Sequence, residues 1–123
     1  MDFKLEGTIE LPQEIREGWG MTHDPKEPTI AYISDGSSNI YKVETNNYVE
    51  EKQVFKVVET IKVTDPKDGN KSINKLNELE WANGSIFANI WMESIIVKID
   101  PKSGKVTQTY DFTILASQAA GIA

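Results

Sequence analysis

Apolar residues in this chain recur at every second position, in short runs separated by clusters of turn-forming residues. A period of two puts alternate side chains on one face of an extended strand, whereas a helix needs a period near 3.6. Asn39-Ile40-Tyr41-Lys42-Val43-Glu44 alternates in this way, and Thr29-Ile30-Ala31-Tyr32-Ile33-Ser34 precedes it as a second short strand. Ser34-Asp35-Gly36-Ser37-Ser38 lies between them and predicts a hairpin turn. The plan recurs further on. Leu79-Glu80-Trp81 leads into Asn83-Gly84, a pair that accepts the positive φ of a tight hairpin. Strands are then predicted over Ser85–Trp91, Ile95–Asp100 and Val106–Tyr110, the last two joined by the turn Asp100-Pro101-Lys102-Ser103-Gly104-Lys105. Val54–Thr64 is rich in β-branched residues and reads as the outer strand of the first set. Only Gln13–Glu17 and the tail Ile114–Ala123 leave helix open. The first is too short to hold a helix in water without tertiary help, and the Ala-rich tail stays undecided.

The two sets share one offset. Ile30–Asp35 falls on Ile86–Trp91, and Ile40–Glu44 on Ile96–Asp100, each 56 residues later. Two hairpins of any origin share such features, so the offset alone leaves a repeat open. If it is a repeat, each unit is a four-stranded antiparallel blade of a β-propeller. The approximate units are 17–64 and 76–115, within one partial all-β propeller domain over 1–123, with a polar surface loop at 65–75. A propeller needs several blades to close its ring and hide its strand edges. About two blades are expected here, so the chain is read as a fragment, or as completing itself by self-association.

Charge and composition narrow the function. Nineteen acidic residues against 13 Lys and Arg give a net charge of −6. That argues against nucleic acid as a partner, because phosphate binding is driven by clustered cations. No polybasic run or long apolar stretch points to a membrane, and Met1–Glu6 lacks the apolar core of a signal peptide. A soluble protein is the default reading. The absence of cysteine excludes disulfides, zinc thiolates and cysteine nucleophiles. With a single histidine, His23, and no calcium or phosphate-binding motif, neither metal nor cofactor is expected.

Three segments are candidates for chemistry. In Glu17-Gly18-Trp19-Gly20 the flanking glycines let the backbone bend or approach closely, aiming Trp19 into an opening; the alternative is a β-bulge beside a core Trp. In Leu76-Asn77-Glu78-Leu79-Glu80, Asn77 sits at a loop-to-strand junction, and Glu78 and Glu80 share one side of a strand. They form either an acid/base pair or a solvated acidic face. In Ala88-Asn89-Ile90-Trp91, Trp91 shares a side with Asn89 and Phe87, facing either a ligand or the core. His23 and Ser37 read as turn residues.

Taken in order, Glu17–Thr22, Ser34–Ser37 with Ile40-Tyr41, Leu76–Glu80, Ala88–Trp91 and Ile99–Val106 resemble the plant- and bacterial-type glutamine cyclotransferases. The resemblance runs from about Glu17 to Leu115. It implies a five-bladed β-propeller with its active site at one end of the central channel. It also implies cyclisation of an N-terminal glutamine to pyroglutamate with release of ammonia. On the matching positions it places Trp19 and Trp91 as pocket walls and Asn77 as a hydrogen-bonding group for the substrate amide. The partner implied is a peptide with N-terminal glutamine. The acid/base Glu of the family belongs to a Gly-Glu-Gly segment, and its pocket Lys to a Thr-Gly-Lys segment. Neither segment occurs in this sequence, and Glu78 and Glu80 are not matched replacements. The expectation is half of a site, inactive alone. The alternative function is a non-catalytic propeller segment that binds a peptide or another chain.

Overall fold

The structure, a computed structural model, describes residues 11–15 and 17–113. The alternating runs form two four-stranded antiparallel sheets, each a meander in chain order. The first contains β1 (Gly20–Thr22), β2 (Ile30–Ser34), β3 (Asn39–Val49) and β4 (Lys52–Lys62). A small ladder follows, made by β5 (Thr64–Asp65) and β6 (Lys71–Ser72). The second sheet contains β7 (Leu76–Ala82), β8 (Ser85–Ile90), β9 (Ile95–Ile99) and β10 (Val106–Asp111).

Local chemistry explains the turns. Asn83 and Gly84 both have positive φ, 49° and 78°, as a two-residue hairpin between β7 and β8 requires. Between β2 and β3 the Asp35 carboxylate accepts hydrogen bonds from the Ser37 amide and hydroxyl and from the Tyr41 hydroxyl. Asp100 holds the turn into β10 by accepting from the Lys102 amide and the Ser103 hydroxyl, each at 3.0 Å.

Two segments depart from the sequence reading. Residues 45–53, to which the alternation assigned no strand, extend β3 and β4 into a long hairpin arm. Its two-residue tip, Glu50-Glu51, has φ of 51° and 66°. The polar loop 65–75 is partly structured: Asp65 caps a 3₁₀ turn over Pro66–Asp68 by accepting from the Lys67 amide, with β5 and β6 on either side. In the segment from Gln13, which the sequence marks as too short to hold a helix, the Ile15 amide donates to the Pro12 carbonyl in a single turn. The tail 114–123 lies outside the described residues.

The main core is sandwiched between the sheets. Tyr32, Ile40 and Ile61 from the first meet Leu76, Leu79, Ile86, Ala88, Ile90, Val97 and Ile99 from the second. Trp81 stacks on Tyr32, with ring centroids 5.6 Å apart. A second cluster, with Ala31, Ile33, Tyr41, Val43 and Phe55, covers the far face of the first sheet together with Ile15. Both faces of β2 are therefore buried, which is why its sequence reads as a continuous apolar run rather than an alternation.

The sheets also meet through polar contacts. The Trp81 amide donates to Thr22 Oγ1 at 2.9 Å. The buried Ser34 hydroxyl donates to the Asn77 carbonyl, and the Lys75 amide to the Gly36 carbonyl. His23, expected in a turn, follows β1 directly and is buried.

Candidate active site

Trp19 is placed by the backbone around it. Its amide donates to the Ser34 carbonyl at 2.9 Å, which ties the start of β1 to the end of β2. Its indole lies directly over Gly36, where a Cβ would come within 2.6 Å of the ring. Gly36 has φ of 84°, so a glycine is required there twice over, for conformation and for space. On the other side of Trp19, Gly20 abuts β7. A Cβ at Gly20 would sit 2.3 Å from the Asn77 carbonyl oxygen. The glycine flanking Trp19 thus permits backbone-to-backbone approach between the two sheets, and the bulge lies on the strand opposite rather than on β1.

That bulge positions Asn77. Leu76 pairs with Ile90 but Leu79 pairs with Ala88, so β7 carries one residue more than β8 across this stretch. Leu76 and Leu79, three apart, are both buried as a result. The Glu78 amide, displaced from the ladder, donates instead to the Asn89 side-chain carbonyl at 2.8 Å. Asn89 is therefore a clamp on the bulge. Asn77 is half-buried, with its main-chain carbonyl held by Ser34. Its side-chain amide has no hydrogen-bond partner among the described residues.

Trp91 follows the end of β8. Its amide donates to the Lys75 carbonyl at 2.8 Å, and its side chain is 47% exposed. It is not a core residue. The edge of one indole meets the face of the other: Trp19 and Trp91 have centroids 5.9 Å apart and planes at 68°. Edge-to-face aromatic pairs of this geometry are attractive by about 0.5–1.5 kcal/mol beyond the area they bury.

Trp19, Asn77 and Trp91, far apart in sequence, line one open cleft of about 350 Å³, joined there by Glu17. Glu78 and Glu80 are exposed and are not among its described lining residues. Glu17 stands in the Glu-Gly-Trp-Gly segment, where nothing local marks it as lining the same opening as Trp19. Close by, Tyr41 is held above the usual phenol value of 10.0, chiefly by burial and further by Asp35, against an opposing hydrogen bond from Asn39. Ser37 bonds within its own turn, as a turn residue should.

The described residues of the cleft offer two aromatic walls, a neutral amide able to donate and accept, and one carboxylate. Among the described residues, no group of three or more His, Asp or Glu is placed to hold a metal ion. None of their helices is long and apolar enough to cross a membrane.

The family model for glutamine cyclotransferases matches residues 2–122. The glutaminyl-peptide cyclotransferase of Arabidopsis thaliana is 30% identical over 95 residues, covering 75% of this chain and 25% of that protein. The crystal structure of Myxococcus xanthus glutaminyl cyclase superposes with a TM-score of 0.69 at 31% identity, over 87% of this chain and 40% of that one. The chain thus spans a quarter of the length of the curated relative and two fifths of the solved one. Since the family model takes in nearly every residue, and the cleft gathers residues from three of the segments on which the sequence resemblance rests, the chain belongs to the glutamine cyclotransferase family.

Proposed function

We propose that this chain supplies part of the substrate cleft of a glutaminyl-peptide cyclotransferase. One observation carries the reading: Trp19, Asn77 and Trp91 line the same cleft. In the reaction the α-nitrogen of an N-terminal glutamine bonds to its own side-chain amide carbon. The carbon–nitrogen bond to the side-chain NH₂ breaks, the α-nitrogen loses a proton, and the leaving nitrogen gains one to depart as ammonia. The substrate must fold back so that the amine reaches the carbonyl carbon, and holding it so supplies much of the acceleration. The two indoles form walls that fit a folded glutamine and exclude water. The Asn77 amide does not titrate, so its role is to hydrogen-bond the substrate amide and not to carry the proton.

The two meanders are taken as successive blades of a five-bladed ring. In favour are their shared strand order and the 56-residue offset, which carries Ile30 of β2 onto Ile86 of β8 and Ile40 of β3 onto Ile96 of β9. Copies of this chain, bringing two blades each, would by associating close a ring with an even number of blades and so not a five-bladed one; light scattering returning a monomer would remove self-association from the reading.

Titration of tryptophan fluorescence with a glutaminyl and an asparaginyl tripeptide, followed by an ammonia assay, tests the site. The glutaminyl peptide should bind more tightly, and Asn77→Ala should abolish the preference. Binding without ammonia release fits a partial site and the non-catalytic peptide-binding reading alike, whereas ammonia release that is lost in Asn77→Ala would show the chain to be active by itself. Failure of the glutaminyl peptide to bind at millimolar concentration overturns the assignment of the cleft.

A further inference from the structure

We propose that Glu17 receives the α-ammonium group of the substrate and so restricts the cleft to peptides with a free N-terminus. The inference rests on the peptide reading of the cleft given above. Among the described residues lining the cleft, Glu17 alone has an ionisable side chain; the others are two indoles and a neutral amide. The substrate brings one obligatory charge to this place. A peptide α-amine has a reference pKa of about 7.7–8.0, so near neutral pH most of it arrives as ammonium. A cleft walled only by Trp19 and Trp91 would attract that cation weakly through the ring faces. A carboxylate in the same lining gives it a counter-charge and a strong acceptor.

Glu17 is suited to the task. It is exposed, so meeting the ammonium costs little desolvation. It lies two residues before Trp19, whose amide is fixed to the Ser34 carbonyl, so the backbone that carries Glu17 enters the cleft at a held point. Asn77 takes the opposite, neutral end of a folded glutamine. With the two ends held by different groups, the cleft measures both the free amine and the side-chain amide. An internal glutamine, lacking the amine, satisfies only one of them.

The test uses the full 123-residue chain and two probes, Gln-Gly-Gly-amide and its N-acetylated form, read by tryptophan fluorescence. The free amine should bind about fivefold more tightly at pH 7, the upper end for an exposed ion pair. The preference should fade as pH rises past about 8 and the amine loses its charge. Glu17→Gln should bring the ratio close to one by weakening chiefly the free-amine peptide, and Glu17→Asp should restore part of the preference. Equal binding of both probes by the unaltered chain, or a preference that survives in Glu17→Gln, overturns the role of Glu17 and leaves the cleft assignment standing. If neither probe binds, the cleft assignment falls and this role falls with it.

Discussion

The indole of Trp19 stands edge-to-face with that of Trp91, centroids 5.9 Å apart, although the two residues belong to different sheets. Their supports differ. Trp19 is half-buried against Gly36, while Trp91 is 47% exposed at the end of β8. Trp91→Ala should therefore cost less than about 1.5 kcal/mol of stability, the size of the ring–ring term. Trp19→Ala should cost about 2 kcal/mol, short of the full penalty for a buried aromatic because Trp19 is only partly enclosed. Both should weaken binding of a glutaminyl peptide. Urea denaturation beside peptide titration separates the two effects. Equal stability losses would show that the rings are supported alike.

Three glycines rank by what a methyl group would meet. At Gly20 it meets the Asn77 carbonyl oxygen and the Glu78 and Leu79 backbone within 3 Å, and backbone on both strands cannot step aside. Gly20→Ala should cost about 3 kcal/mol and separate β1 from β7. At Gly36 the obstacle is the Trp19 ring, which can tilt, so Gly36→Ala should cost about 2 kcal/mol, mostly from the positive φ. It should also shift the tryptophan emission. Gly84 meets nothing within 4 Å, and its substitution should cost about 1 kcal/mol from conformation alone. Denaturation midpoints of the three variants check the order.

Elements whose cause is local were legible in the sequence. Asn83-Gly84 and Asp100–Gly104 specify their turns by their own conformational preferences, and the strands between them follow. The hairpin arm was not legible, because Glu50-Glu51 has no preference for positive φ and is held there by the pairing of Val49 with Lys52 on either side. The bulge in β7 left a trace: Leu76 and Leu79 lie three apart and cannot both face inward from a regular strand. Reading that trace required knowing that Asn89 would capture the freed Glu78 amide. For the site, the motif residues Trp19, Asn77 and Trp91 were legible through resemblance. Glu17 was not, since it reaches the cleft only through the way the chain enters β1.

Two phenols predict the alkaline limit of stability. Burial raises Tyr32 above 10.0, with Glu27, Asp24 and Glu59 adding to it, and burial raises Tyr41 with help from Asp35. The folded state thus favours both neutral phenols. Their contribution is fully present below the unfolded value near 10 and is lost as pH rises through the higher folded values. Stability should be insensitive to these groups up to about pH 9.5 and then fall, each phenol adding at most about 1.4 kcal/mol per pH unit to the slope. Tyr41→Phe should make the fall shallower. Absorbance titration at alkaline pH, with denaturation at each pH, measures it; an unchanged slope in Tyr41→Phe would remove Tyr41 from the account.

The tip of the β3–β4 arm offers a gain in stability. Glu50 and Glu51 hold φ of 51° and 66°, a region where a Cβ crowds the backbone, and they place two like charges side by side. The register on both flanks, Val49 with Lys52 and Tyr48 with Gln53, already suits a two-residue turn. Replacing the pair by Asn-Gly supplies residues that adopt those angles readily and removes the charge repulsion. The double variant should gain about 1–2 kcal/mol. Because the arm lies outside the Trp19–Asn77–Trp91 cleft, affinity for a glutaminyl peptide should not change. Thermal melts and the same fluorescence titration test both halves. A loss of stability would mean that the tip is held by contacts of the Glu side chains rather than tolerated in spite of them.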